Sequence, residues 1–386
     1  MLLNEAPLYP SSAITAIAAE TICSRRAVSM NVGRNLGRTL RILYAHLIIA
    51  RRLAAVLGLL LLAPISAEYL IAYDTSTGNP SALIAGLIFL APLYGGAGLL
   101  IRETARRLRL RWPGIICLAG AFGVIQAGLV DQSLFNRTYR DIPYWEAMTV
   151  PTWIPVVGIS GYTTLSFVTG HIIWSICAPI AIVDSLEPRL RDWPWLSRPA
   201  LAVVAGGYLL FSGLILVDHI ASEEFLATPA QLVGAALVSG ALVVIGLYLG
   251  RRFPAPTARP APSPWLVAGV AAAIAAGLNQ LPVTWAGVGL GAAAFTALTA
   301  AVAWFGRSPR WTQQHQLALA GAALFIEAAS GFLVDPLGDG DLQPKLIHNA
   351  MACLLVAGLC GLAAYRVTGE LGPSRRSDRE TCAPIA

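Results

Sequence analysis

The 386-residue chain is 56% hydrophobic and only 12% charged, with a mean hydropathy of +0.64. A soluble globular protein carries about 25% charge, so too few charged side chains are present to cover a water-facing surface, and composition alone selects the membrane class. The net charge of +6 rests on arginine, Lys345 being the sole lysine. The loop placement of those arginines accounts for the excess and excludes nucleic acid as a partner.

The N-terminal stretch lacks a basic start followed by an apolar run and a small-residue cleavage site, so it is not expected to be a signal peptide. Met30 is an alternative start. Residues 38–52 (RTLRILYAHLIIARR) are expected to lie on the membrane surface, within a cytoplasmic tail 1–52. Ten runs approach the roughly 20 apolar residues that a span needs. They fall near 53–73, 80–101, 113–131, 163–184, 199–217, 228–249, 264–282, 285–305, 315–334 and 346–366. The fold class expected is therefore all-α, a polytopic membrane helix bundle of about ten transmembrane helices.

The loops set orientation. With the N-terminus cytoplasmic, every basic residue except Arg137, Arg140 and Lys345 falls on the inner side, while the outer loops are acidic. The positive-inside rule selects ten spans with both termini cytoplasmic, and the expected location is a bacterial plasma membrane. Residues 251–264 (RRFPAPTARPAPSP) read as an extended linker.

Residues 111–131 (RWPGIICLAGAFGVIQAGLVD) have an echo at 310–335 (RWTQQHQLALAGAALFIEAASGFLVD). Both begin Arg-Trp, contain LAGA with a polar residue (Gln126, Glu327) in register, and end Val-Asp. The echo pairs span three with nine and four with ten. An offset of six spans preserves direction, so the expectation is a parallel repeat. The division is then 53–184, a connecting pair 185–250, and 265–366, followed by a disordered tail 367–386.

An ionisable group inside a span costs about 2.5–3.5 kcal/mol on insertion scales. Glu68, Gln126, His171, Glu327 and His348 all fall in the outer half of their spans. They form the candidate binding set, expected to meet in one outward-facing polar pocket between the two repeats. His46 and His219 read as interfacial, and His315 as a helix-end residue. His171, His348 and Glu327 would form a two-histidine, one-carboxylate set of a kind that suits zinc or iron. No cofactor is otherwise expected. The six cysteines contain no CxxC pair and read as packing residues. Asn136-Arg137-Thr138 matches a glycosylation sequon. The aromatics of loop 132–153 are expected to lie against lipid headgroups or to cap the pocket.

Phe167-x-x-x-His171 on a membrane helix resembles the second motif of the CPBP (CAAX-processing) intramembrane protease superfamily. That resemblance implies a water-activating paired-glutamate motif with a downstream arginine, supported by histidines on neighbouring helices. The chain departs from it: Gln126 and Ala127 stand where glutamates belong, Glu223-Glu224 lacks the arginine, and a glutamine amide cannot act as a general base. The leading expectation is thus binding or transport of a small solute or ion rather than enzymatic activity. The alternatives are a metal-dependent intramembrane hydrolase, a non-catalytic relative of one, or an accessory subunit with no ligand site. Substrate and oligomeric state are not encoded legibly.

Overall fold

The computed structural model describes residues 43, 45–252, 258, 260–338 and 341–370. The chain divides into two units, Met1–Leu53 and Ala54–Ala386. Of the first, the described residues are helical; most of the expected surface segment 38–52, together with Cys23, Cys382 and part of the linker, lies outside the described residues.

Ten apolar helices follow: α1 (Ala45–Tyr69), α2 (Pro80–Arg107), α3 (Trp112–Val130), α4 (Gly161–Leu186), α5 (Arg198–Glu223), α6 (Pro229–Arg251), α7 (Pro264–Asn279), α8 (Trp285–Phe305), α9 (Gln313–Leu333) and α10 (Leu342–Glu370). Nine are long and apolar enough to cross a membrane among the described residues; α7 is shorter, with 16. At 1.5 Å per residue α7 reaches about 24 Å, less than the roughly 30 Å of a hydrocarbon core. The chain is a multi-pass helical membrane protein. Its helix bounds differ from expectation at both ends: α1 begins at Ala45 and α10 runs to Glu370.

Helix starts follow local chemistry. Pro at the first helical turn, after a capping Asn79, Ser197, Thr228 or Ser263, opens α2, α5, α6 and α7. Each capping side chain accepts a backbone N–H that the helix leaves unpaired, and proline has no N–H to lose there.

The core lies among α1–α4, α9 and α10. The most enclosed helices are α3 and α4, while α5 and α8 are almost bare; their large apolar side chains, such as Leu209, Leu210 and Leu290, face outward, as lipid-facing helices require. Neighbouring pairs include α3 with α6, α7 with α9, α9 with α10 and α4, and α2 with α5. The α3–α6 crossing is close because it is built on glycine. A Cβ on Gly114 would stand 2.8 Å from the Gly246 carbonyl oxygen and 2.9 Å from Gly250 Cα.

Candidate functional site

Each of the first four spans contains a stretch wound with the wider i→i+5 pattern: Ile65–Tyr69, Ala91–Gly95, Gln126–Val130 and His171–Cys177. None occurs in α5–α10 among the described residues. Three of the four adjoin a proline, namely Pro64, Pro92 and Pro179. Proline lacks an N–H and clashes with the carbonyl four residues back; for Pro179 that residue is Ser175, inside the widened turn. Such turns free carbonyls and re-aim side chains, and in a membrane they are tolerated where protein or water satisfies the backbone. Glu68, Tyr94, Gln126 and His171 all sit on these turns.

Three of these residues meet. The Tyr94 hydroxyl donates to Glu68 Oε1, and Tyr73 donates to Oε2 at 2.8 Å. The Tyr94 ring lies 5.8 Å from the His171 ring, with Phe122 against both, 5.9 Å from Tyr94 and 5.4 Å from His171. His171 Nδ1 is 3.1 Å from Ser175 Oγ. Glu68, Tyr73 and His171 are partly exposed, whereas Tyr94 is buried.

Asp131, Tyr139 and Arg140 lie within electrostatic reach of Glu68. Burial pushes the Asp131 carboxyl above the usual range, against its hydrogen bonds from Ser133 and the opposing pull of Arg140. Glu68 holds the Tyr73 hydroxyl well above the ordinary tyrosine value, with burial adding to it. Tyr73 therefore remains a proton donor to the carboxylate.

The 131–160 loop folds over this end of the bundle. Phe135, Tyr139 and Trp145 are buried in protein rather than laid on headgroups. The Trp145 indole donates to the Asn136 carbonyl at 2.9 Å, and its ring lies 4.9 Å from Tyr139 and 5.8 Å from Phe167. Asn136 is itself buried, and its amide donates to Glu223 at 3.2 Å, so the sequon asparagine is committed to holding the loop. His219, expected at the interface, is buried beside Tyr139, ring centres 5.9 Å apart.

The other candidates lie elsewhere. Glu327 is buried in α9, accepting from Asn279 at 3.0 Å. It lines a separate pocket of about 210 Å³ with Ser166, Thr169 and Trp174. Glu68, Tyr94 and His171 are not among the residues that line that pocket. His348 serves packing: its Nε2 is 2.8 Å from the Tyr69 carbonyl oxygen, and Nδ1 accepts from Gly78 N at 3.3 Å. Gln126 is buried, and its Oε1 has no partner among the described residues. The single pocket expected for all five residues is thus not what the fold builds. The His171–His348–Glu327 metal set does not assemble either, and among the described residues no group of three or more His, Cys, Asp or Glu is placed to hold a metal ion.

The arginine-rich face holds a cluster that sequence reasoning missed. Arg102 is fully buried. It donates from Nε to Asp184 at 2.9 Å and from its terminal nitrogens to the carbonyls of Leu190, Arg191 and Trp193. Arg106 donates to the other Asp184 oxygen at 2.5 Å. Glu103 accepts from Arg107 at 3.0 Å and from Trp195 N at 2.6 Å, and the Arg102 guanidinium lies 3.2 Å over the Trp195 ring. Gln313 of α9 donates to the Asp184 carbonyl at 2.7 Å. The cluster ties α2, α4, the 187–197 loop and α9 together. In sequence these arginines read only as orientation signals in loops.

No family model, no curated protein and no solved structure matches the chain. Class is therefore defined by the fold and its polar interior alone: a polytopic helical membrane protein.

Proposed function

We propose that the chain binds a small cationic or protonatable solute at the Glu68–Tyr94–His171 cluster and carries it across the membrane. The observation that supports this reading is the environment of Glu68: one carboxylate inside the bundle, held by two tyrosine hydroxyls beside a histidine, and partly open to solvent. Irregular turns on spans that line a polar interior are a recurrent feature of carrier sites. The positive-inside rule orients the Glu68 site away from the cytoplasm. The aromatic loop acts as its cover.

The test is thermal unfolding of the purified chain against a panel of monovalent cations and small amines. A ligand at a hundred times its dissociation constant adds about 2.7 kcal/mol of stability. The stabilisation seen with the native chain is expected to persist in Glu327→Gln and vanish in Glu68→Gln. An undiminished response in Glu68→Gln overturns the assignment.

A further inference from the structure

Two cavities run end to end between α3–α4 and α7–α9. The first is an apolar slot of about 120 Å³, bounded by side chains such as Ile173, Cys177, Ala275, Leu298 and Ala320. The second is a wide vestibule of about 1350 Å³ on the arginine-rich face, lined by six arginines against two aspartates. Trp112, Ile116, Phe295, Thr299 and Trp311 line both, so the slot opens into the vestibule. Along α4 the slot runs from Ile172 to Ala181, about 14 Å at the helical rise. One leaflet of a hydrocarbon core of roughly 30 Å has a similar depth.

Three of the arginines already serve the fold: Arg106 pairs with Asp184, Arg191 with Asp192 and Gln313, and Arg111 donates to the Gly306 carbonyl at 3.2 Å. Arg109 and Arg252 are exposed, Arg252 lying 4.2 Å over the Tyr248 ring. An empty apolar cavity stays dry and accepts an apolar guest, whereas a basic vestibule attracts anionic headgroups, each arginine contributing about 1 kcal/mol near a charged surface. A small solute would satisfy only one of the two cavities.

We infer that this pair of cavities is a binding site for an anionic phospholipid, its phosphate among the arginines of the vestibule and one acyl chain in the slot. The site is separate from the Glu68 cluster and stands or falls independently of it.

The full chain is placed in lipid nanodiscs with phosphatidylglycerol carrying a diazirine at an acyl terminus, or with phosphatidylcholine carrying the same group, and cross-linked peptides are mapped. Phosphatidylglycerol is expected to label the segments around Cys177–Ala181 and Ala320–Ala323, and phosphatidylcholine to label them several-fold less. In Arg109→Glu/Arg252→Glu, checked for folding by gel filtration, slot labelling by phosphatidylglycerol falls on the order of tenfold. Labelling confined to the lipid-facing side of α5, equal labelling of the slot by both lipids, or an unchanged pattern in the folded double variant would each overturn the assignment. The comparison of the two lipids on the native chain needs no variant, so a failure of the double variant to fold leaves the test intact.

Discussion

Glu68 shows how one side chain acquires a role from its partners. Hydrogen bonds to charged groups contribute about 1.5–3 kcal/mol, so Tyr94→Phe is expected to weaken binding of the cation identified in the unfolding panel by roughly ten- to a hundredfold, measured by titration calorimetry. Tyr73→Phe leaves the Tyr94 bond in place and is expected to show a smaller loss. Asp131 gives a prediction of opposite sign. Its carboxyl is held above the ordinary value by burial, so the folded state binds its proton more tightly than the unfolded chain does. Stability then falls as pH rises from about 3.9, the unfolded value, through the raised folded value. Asp131→Asn is accordingly expected to melt at higher temperature than the native chain at neutral pH, and at the same temperature in acid below the unfolded value. Sequence reading named Glu68 and His171 at this scale but passed over Tyr94. A tyrosine in an apolar span has no distinguishing pattern; it joins the cluster through a contact with a residue 26 positions away.

At the scale of single helices, the widened turns and the glycine crossing decide shape. Prolines 64, 92 and 179 lie inside or beside apolar runs and went unread in the sequence; which carbonyl is freed depends on the neighbour that accepts the distortion. Small residues let membrane helices approach, and at Gly114 the approach is backbone on backbone. Gly114→Ala is expected to cost about 1–3 kcal/mol of stability, the usual range for overpacking, read from unfolding in detergent. Gly207→Ala on α5 meets nothing within 4 Å and is expected to leave stability unchanged or slightly raised. The α7 segment, with its 16 helical residues, was expected to be longer; Gln280 to Thr284 instead form the turn into α8. The expected echo of α1–α4 in α7–α10 has no counterpart in backbone detail, since the widened turns fall in the first four spans alone among the described residues.

For the molecule as a whole, the buried ionic cluster is the joint. Removing one partner of a buried pair leaves an uncompensated charge, at a cost of about 3–5 kcal/mol. Asp184→Ala removes the carboxylate shared by Arg102, fully buried, and Arg106, leaving Arg102 only Glu103 as an ionic partner. It is expected to unfold at markedly lower temperature, and to do so regardless of any ligand at Glu68, as thermal unfolding with and without the cation will check.

The sequence by itself determined the membrane class, the positions of the spans and the clustering of arginine on alternate loops. Lipid imposes those features on any chain through a minimum apolar length and the price of charge, both of which are read one residue at a time. It also gave the depth of each polar group along its helix. Only the tertiary structure decided which of those groups meet. Depth leaves open the direction in which a side chain points around the helix axis, and here the difference is decisive. His171 turns from α4 toward Tyr94, Thr169 and Trp174 line the pocket of Glu327, and His348 is spent on a backbone carbonyl. Groups at one level were thereby committed to different partners, because packing sets the rotation of each helix.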